Sequence, residues 1–283
     1  ALASVPFFAI AYGILIGRFR FHVKEKEIIS SHLPDEFDGT RIVHISDLHI
    51  GSYWGNTKQL SKVFSMINRE KPDLILYTGD MINTFAEEAE RFVPQLSSLR
   101  ARYGKFSVLG NHDYGEYYIW PSENEKINNL ERLKAIQAES GFRLLLNESY
   151  TIEKGGKKLA ILGVENWGLP PFKARGDLQK AIDKTETDSY KILLSHDPSH
   201  FPEEVAGRTN IDLTLSGHTH GMQFGFEIAG KKWSPVSLKY KYWDGLYKVG
   251  DQFIHVNRGI GFIGFPGRIG MLPEVSVLVL HKR

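Results

Sequence analysis

The sequence predicts an α/β protein, a four-layer α-β-β-α sandwich of two mixed sheets flanked by helices. Two observations support this fold class. Short apolar strands alternate with helical segments over residues 41–140, and a longer run of apolar strands follows from residue 143. Alternation of this kind is typical of parallel strands joined by right-handed crossovers. Two sheets packed face to face, with helices outside, are the simplest way to bury so many apolar strands.

The first half of the chain provides the alternating part. Apolar runs predict strands over 42–46, 74–78 and 106–110, and apolar residues at helical spacing predict helices over 57–70, 86–102 and 123–140. Pro94 falls within the second helical pattern, where its missing N–H should begin or kink the helix. Gly141 follows the third pattern and suits the C-terminal end of a helix.

The second half contributes most of the strands. Strands are predicted over 143–146, 150–153, 159–164, 191–195, 212–216, 252–256 and 275–280, with a helix over 177–185. This run predicts a second sheet with antiparallel content. Near the N-terminus, residues 18–24 alternate polar and apolar side chains, which predicts an edge strand with one covered face.

The composition excludes several kinds of site. The 283 residues carry a formal net charge of +2 and include no cysteine. Disulfides and thiolate metal sites are therefore excluded, and any metal must be held by nitrogen and oxygen ligands. The small positive surplus, without a basic stripe, gives no reason to expect nucleic acid as a partner. The oligomeric state is not predicted.

The N-terminal stretch, residues 2–16, carries no charge. Fifteen helical residues span about 22 Å, less than the hydrocarbon core of about 30 Å. Residues 1–17 therefore predict an apolar membrane-anchor or docking segment ahead of a domain over residues 18–283. The segment could be the end of a transmembrane helix, a signal-peptide remnant, an interfacial anchor or a helix docked on the domain. Arg18, Arg20, Lys24 and Lys26 follow it, which favours membrane association with the catalytic domain on the cytoplasmic side.

Polar residues follow five of the predicted strands, at the point where each strand ends. The five blocks are Asp47-x-His49, Gly79-Asp80, Gly110-Asn111-His112-Asp113, Ser195-His196-Asp197 and Gly217-His218-Thr219-His220. Each block alone is more typical of a turn or of a structural histidine. Because sites in α/β sheets are built at the carboxyl ends of the strands, five such blocks in succession predict one shared site.

In this order, the five blocks resemble the calcineurin-like binuclear metallophosphoesterase superfamily, over residues 41–220. The glycine-rich stretch 257–274 and the apolar N-terminus look like a membrane-anchored bacterial branch of it. The resemblance implies two divalent metal ions bridged by one carboxylate. It implies that one ion is held by Asp47, His49, Asp80 and His220, and the other by Asp80, Asn111, His196 and His218. Mixed nitrogen and oxygen ligation suits Mn, Fe or Zn, among which the sequence does not choose.

The resemblance also implies a reaction, in which a hydroxide that bridges the ions attacks phosphorus in line with the leaving oxygen. We expect His112 to protonate the leaving group or to stabilise its developing charge. We expect Asp113 to accept from the other ring nitrogen and so fix the tautomer of His112. Asp197 could orient His196 in the same way, or could cap the helix that follows.

The expected substrate contains phosphate. Asn166, Arg258 and Arg268 are weaker candidates for contacts with it, and ordinary structural roles stay open for all three. The apolar segment beside the site favours cleavage of a phosphodiester or pyrophosphate bond in a lipid-linked substrate, such as a UDP-diacylglucosamine-like molecule. The alternative is a broad phosphodiesterase or phosphomonoesterase that acts on soluble substrates, cyclic nucleotides included. A non-catalytic binding scaffold is less favoured, because no ligand of the pattern is missing.

Overall fold

Two six-stranded β-sheets form the centre of the molecule in the computed structural model, which describes residues 4–170, 172–228 and 231–283. Elements are numbered in chain order. The first sheet contains, in spatial order, β1 (His22–Ser30), β14 (Glu274–Lys282), β2 (Arg41–Ile45), β3 (Leu74–Tyr77), β4 (Lys105–Ser107) and β5 (Phe142–Leu144). The second contains β12 (Gly245–Val249), β13 (Gln252–Val256), β9 (Leu213–Ser216), β8 (Tyr190–Leu194), β7 (Lys157–Gly163) and β6 (Glu148–Lys154). A separate hairpin pairs β10 (Phe226–Ile228) with β11 (Lys231–Trp233).

Helices cover the outer faces of both sheets. The α-helices are α1 (Ser4–Leu15), α2 (Thr57–Arg69), α3 (Glu87–Glu90), α4 (Val93–Ser97), α5 (Glu123–Glu139) and α6 (Leu178–Ile182). Apolar residues of α2 to α5 pack in one cluster with the first sheet, and those of α6 pack in another with the second sheet. The predicted four-layer sandwich is thus confirmed.

The central strands, among them β2, β3, β8 and β9, bury both of their faces because most of their residues are apolar. In β2, Ile42 packs between the sheets, whereas Val43 and Ile45 pack against the helices. This alternation follows from the two-residue period of a strand. Continuous apolar runs, without polar residues at every second position, are typical of strands that are covered on both sides.

Strand direction brings the predicted site residues to one edge. The neighbours β2, β3, β4 and β5 are parallel, and so are β7, β8, β9 and β13. Antiparallel pairing occurs between β14 and β2, β6 and β7, and β12 and β13. The carboxyl ends of β2, β3, β4, β8 and β9, which precede the five polar blocks, therefore meet at one end of the two sheets.

Several predicted elements differ in detail. The strands predicted over 143–146 and 275–280 belong to the first sheet as β5 and β14, not to the second. The edge strand is present as β1, but it begins at His22, and Gly17–Phe19 form a 3₁₀ turn. The helix predicted over 86–102 is divided into α3 and α4, because Pro94 lies in the first turn of a new helix that begins at Val93.

Helix α1 is docked on the domain rather than projecting from it. The carbonyl of Gly13, the buried residue of α1, accepts a hydrogen bond of 3.1 Å from the Arg268 N–H. A Cβ atom on Gly17 would lie 2.2 Å from the Arg268 carbonyl oxygen, so glycine permits this close approach. Across the part of the chain that the structure describes, no helix has the length and apolar character needed to span a membrane.

Candidate metal centre

The chain turns sharply at the ends of the strands that carry the polar blocks. Asp47, His49, Asp80, His218 and His220 all have φ between 41° and 67°. This left-handed region is unfavourable for residues with a Cβ atom, and such strain is concentrated at functional sites. Five strained backbones among seven predicted ligands indicate that side-chain placement, rather than local stability, determines the conformation here.

Glycines allow the loops to approach one another. Gly79 has φ 95°, and a Cβ atom there would lie 2.4 Å from the backbone nitrogen of Gly110. A Cβ atom on Gly217 would lie 2.3 Å from Asp47 Oδ2. Gly79 and Gly217 directly precede Asp80 and His218. Because neither has a Cβ atom, the neighbouring loops can pack against them without a clash.

A first group of possible ligands consists of Asp47, His49 and His220. Their ligand atoms lie within 4.8 Å of one another, and all three residues are buried. His220 Nε2 lies 3.2 Å from Asp47 Oδ1 and 3.2 Å from His49 Nε2. One cation placed among these atoms would meet two nitrogens and one oxygen.

A second group consists of Asp80, His196 and His218, again with ligand atoms within 4.8 Å of one another. His196 Nε2 is central, at 3.2 Å from both Asp80 Oδ2 and His218 Nδ1. The amide oxygen of Asn111 lies 3.1 Å from the same nitrogen. The structure thus brings four of the predicted ligand atoms close together in the second group, and their role as ligands stays a prediction.

Asp80 lies between the two groups. Its Oδ2 atom is 3.2 Å from His196 Nε2 in the second group and 3.6 Å from His49 Nε2 in the first. A carboxylate that faces both groups has the geometry required of a bridging ligand. The bridging role itself stays a prediction.

Burial and close ion pairs determine the charge at this centre. Burial lowers the pKa of His49 to about 3 and that of His218 to about 4, so both rings are neutral. Burial opposes ionisation of Asp80, but the charge on His196 holds the pKa of Asp80 well below its ordinary range. At His196, burial lowers the pKa, but this effect is outweighed, and the Asp80 carboxylate raises the pKa to about 10. A cation at this position would take the place of the His196 proton.

The chemistry of these residues fits divalent cations. Two pairs of imidazole nitrogens face each other at 3.2 Å, and two ionised carboxylates lie among them. Ring nitrogens this close together in a buried site need a proton or a metal cation between them, and imidazole with carboxylate is a common ligand set for Zn, Fe and Mn. The identity of the ions stays a prediction.

His112 lies beside the centre and does not belong to either group of ligands. Its ring stands edge-on to that of His49, with centroids 4.9 Å apart, and its backbone N–H donates to Asp80 Oδ1 at 2.8 Å. Its Nδ1 lies 2.9 Å from the carbonyl oxygen of Asn83. A carbonyl can only accept, so Nδ1 carries the proton and Nε2 is left for other contacts.

Two predicted orienting contacts are wrong. The Asp113 carboxylate does not bind the ring of His112, because it accepts from backbone N–H groups, among them that of Asp80 at 2.9 Å. Asp197 does not orient His196, whose Nδ1 lies 2.7 Å from the Thr78 carbonyl oxygen. Asp197 Oδ1 instead accepts from the Ser199 N–H at 2.8 Å in the turn before the helix that begins at Phe201, which it does not cap, and Oδ2 lies 3.9 Å from His218 Nε2.

The predicted substrate contacts do not fit the positions of the two arginines. Arg258 is 2% exposed, and its guanidinium binds the carboxylates of Asp244 and Glu227. Arg268 is fully buried, donates to the Gly261 carbonyl, and lies 3.1 Å from His220 Nδ1. Both guanidinium groups therefore have structural partners, and Arg268 contacts the ring of a predicted ligand. Asn166 lines a cavity that also includes Asn111, and its contact with substrate stays a prediction.

Several residues of the centre were not predicted. Asn83 Oδ1 lies 3.1 Å from His49 Nδ1, and Tyr240 Oη lies 3.1 Å from His218 Nε2. The amide nitrogen of Asn111 donates to Tyr117 Oη at 2.8 Å, and the Tyr117 ring covers His112 with centroids 4.5 Å apart. Asn83 and Tyr117 follow the polar blocks by a few residues, which is a weak signal, whereas Tyr240 is remote in sequence from its partner.

Comparison with known proteins gives the family. Residues 40–222 match the family described as calcineurin-like phosphoesterase. The uncharacterized metallophosphoesterase YkuE of Bacillus subtilis is 33% identical over 264 residues, which cover 91% of this chain and 85% of YkuE. A Danio rerio protein named transmembrane protein with metallophosphoesterase domain is 27% identical over 96% of this chain, but the chain spans only 60% of its length.

Solved structures show the same fold. NAD nucleotidase (NadN) of Haemophilus influenzae has a TM-score of 0.50 at 18% identity, over 78% of this chain and 45% of NadN, which shows likeness of fold alone. Relatives come from bacteria and from animals, so the membrane-anchored bacterial branch stays a prediction. The family match over residues 40–222 includes all five polar blocks, and the chain belongs to the calcineurin-like phosphoesterase family of phosphoester hydrolases.

Proposed function

We propose that the protein hydrolyses a phosphodiester or pyrophosphate bond in a lipid-linked substrate, such as a UDP-diacylglucosamine-like molecule, at a membrane surface. The observation that carries the proposal is the contrast between the two sides of the metal centre. A polar cavity lies beside Asn111, and exposed apolar side chains follow His220. An amphiphile with its phosphate in the middle suits such a site.

The polar side is a cavity of about 220 Å³ that includes Asn111, Tyr117 and Asn166 in its lining. Lys173 and Arg175 stand at it, and both bind the carboxylate of Glu116, at 3.0 and 2.9 Å. Because Glu116 also binds Lys126, one carboxylate faces three cations here. The positive surplus suits the phosphate-bearing polar end of a substrate.

The apolar side begins immediately after His220. Met222 and Phe224 are both exposed, and the Phe224 backbone forms a bridge with Ile269. Ile269 also contacts the docked helix α1, whose outer residues are apolar and exposed. An acyl chain leaving the centre on this side would meet apolar surface rather than water.

The residues of the centre have separate roles in this proposal. When bound, two divalent ions supply Lewis-acid activation of water and of the phosphoryl oxygens. Asp47, Asp80 and the neighbouring imidazoles would hold the ions, of which manganese is one candidate. His112 holds its Nδ1 proton on the Asn83 carbonyl and presents Nε2 to the leaving oxygen, to which it delivers a proton when the ring is doubly protonated.

The proposed location is the membrane surface, with the catalytic domain on the cytoplasmic side. The support is the exposed apolar surface of α1 and the two cations that follow it, Arg18 and Arg20. Positive charge beside an apolar segment is typical of the cytoplasmic face.

The test compares one lipid-linked pyrophosphate with its water-soluble counterpart. We expect kcat/KM for UDP-diacylglucosamine in mixed micelles to exceed that for UDP-N-acetylglucosamine by roughly 100-fold or more, since the acyl chains add apolar contact area. Asp80→Asn should abolish both activities, which assigns them to this centre. Equal values for the two substrates would remove the case for a lipid substrate and favour the alternative, a broad phosphodiesterase or phosphomonoesterase.

A further inference from the structure

Exposed apolar side chains are concentrated in two short stretches of chain, residues 5–16 and 222–238. The first includes Phe7, Phe8 and Leu15, and the second includes Ile228, Trp233 and Leu238, which is 85% exposed. We call the exposed apolar side chains of these two stretches the apolar face. An exposed apolar surface of this extent, at the edge of an active centre, is typical of an interaction site.

The two stretches are anchored next to each other, because both are fastened to residues 267–269. The Arg268 N–H donates to the Gly13 carbonyl at 3.1 Å, and the Ile269 N–H donates to the Gln223 carbonyl at 2.8 Å. A Cβ atom on Gly13 would lie 2.6 Å from Ile269 Cγ1, so the backbone of α1 touches the Ile269 side chain directly. Helix α1 and the segment after Met222 therefore flank the same three residues.

The β10–β11 hairpin gives the second stretch a defined shape. Phe226 and Trp233 are opposite each other across the hairpin, and their rings stack with centroids 5.7 Å apart. Both rings are exposed, as is Ile228, which lies two residues after Phe226 and therefore on the same face of the hairpin. Stacked aromatic rings on an exposed hairpin are suited to a membrane–water interface, where tryptophan is enriched.

The charge of the two stretches identifies the partner. Together with their flanking residues, the stretches cover residues 4–20 and 222–241. These ranges contain six cations, namely Arg18, Arg20, Lys231, Lys232, Lys239 and Lys241, of which Lys232 is bound to the Asp244 carboxylate. Their one carboxylate, Glu227, is already bound by Lys24 and Arg258. Apolar side chains bordered by lysine and arginine are complementary to the interface of a bilayer that contains anionic lipid.

We infer that the apolar face is a docking surface for an anionic phospholipid bilayer, in which the β10–β11 hairpin and Leu238 enter the interface together with α1. Met222 lies two residues after His220, and Arg268, next to Ile269, lies 3.1 Å from His220 Nδ1. The bilayer would thus reach the edge of the metal centre. The inference rests on the proposed function for its purpose, since a lipid-linked substrate would enter along this face.

Co-sedimentation of the full chain with vesicles tests the inference without any substrate. Vesicles of phosphatidylcholine with phosphatidylglycerol are compared with vesicles of phosphatidylcholine alone. Ile228→Asp and Leu238→Asp should each weaken partitioning onto the anionic vesicles by about tenfold or more, because each places a charge where an apolar side chain enters the interface. Ile29→Asp is the matched control. Ile29 is 50% exposed, but it lies near the carboxyl end of β1, away from the end of the sheet that carries the polar blocks.

A second readout tests the hairpin directly. Lipids with brominated acyl chains should quench tryptophan fluorescence of the wild-type protein, and Trp233→Phe should lose most of this quenching. Wild-type partitioning in both Ile228→Asp and Leu238→Asp, equal binding to neutral vesicles, or no vesicle binding at all would each overturn the inference, the last favouring a protein partner. Hydrolysis of bis(p-nitrophenyl) phosphate in the same variants should be unchanged, so a failure of docking remains distinguishable from a failure of the proposed function.

Discussion

At the scale of single residues, Asp113 shows how a buried carboxylate holds two reactive loops in place. Its oxygens accept from the backbone N–H groups of Asp80, Met81 and Gly110 at 2.8 to 2.9 Å. Burial and the nearby Asp80 carboxylate raise the pKa of Asp113 to about 7, whereas the N–H donors favour its charged form. Asp113 therefore joins the loops after β3 and β4 and fixes His112 through the backbone rather than through its ring.

His112 gives the sharpest prediction at this scale. We expect His112→Ala to retain both metal ions and to lower kcat by about 10²- to 10⁴-fold, because the leaving oxygen loses its proton donor. The loss should be largest for aryl phosphodiesters with poor leaving groups. Steady-state kinetics over a series of substituted phenyl esters, together with metal analysis of the same preparation, measures both effects.

The experiment must distinguish loss of the His112 ring from loss of the metal ions beside it. Tyr118→Phe is a suitable control, because Tyr118 packs on Phe85 and Trp120 and not on His112. A His112→Ala protein with reduced metal content, or with the same loss for every leaving group, would contradict the assigned role.

At the scale of elements, β2 and β13 face each other through a buried histidine pair. His44 Nδ1 and His255 Nδ1 lie 3.0 Å apart, so one ring donates to the other. His44 Nε2 lies 3.0 Å from the hydroxyl of Thr78, whose carbonyl oxygen contacts His196. The two sheets are thus joined, directly behind the metal centre, by a polar contact within an apolar interface.

This pair predicts a dependence of stability on pH. Burial lowers the pKa of His255 to about 4, and the Glu274 and Asp244 carboxylates only partly oppose the shift. In the unfolded chain, His255 has a pKa of about 6.5. The neutral ring therefore stabilises the folded state fully above that pH, and this stabilisation is lost as pH falls toward 4. We expect a loss of about 2 kcal/mol in the free energy of unfolding between pH 7 and pH 5 from His255.

Urea denaturation of the metal-loaded protein at several pH values measures this loss. His255→Asn should flatten the slope between pH 7 and pH 5 by the amount that His255 contributes, while the remaining slope belongs to other groups, His44 among them. If wild-type protein and variant have parallel pH profiles, the ring is not protonated on unfolding in this range, and the interpretation of the pair is wrong.

At the scale of the whole molecule, the layers could be predicted because both strand faces are apolar and the strands alternate with helices. The assignment of β5 and β14 to the first sheet could not be predicted, because it depends on pairing between distant parts of the chain. The prediction of one helix over 86–102 was wrong, because Pro94 allowed either a kink or a new helix, and a new helix begins there. Residues 1–3 of the predicted N-terminal segment lie outside the described residues.

The candidate site was more predictable than its surroundings. Each ligand block begins within three residues of the end of a strand, so the carboxyl ends of the strands bring the ligands together. The contacts that orient them come from elsewhere in the fold: Arg268 lies against His220, and Tyr240 binds His218. Arg258 and Arg268 were assigned to substrate because arginines among glycines suggest an anion site, whereas burial gives them structural partners.

The central claim is a two-metal centre that Asp80 holds together, and metal content tests it most directly. Elemental analysis after dialysis should find two divalent ions per chain in the wild-type protein and in Asp188→Asn, which changes an exposed carboxylate elsewhere. Asp80→Asn should lose at least one ion and nearly all hydrolysis of bis(p-nitrophenyl) phosphate, since a neutral amide bridges two cations poorly. Full metal occupancy with normal turnover in Asp80→Asn would contradict the account.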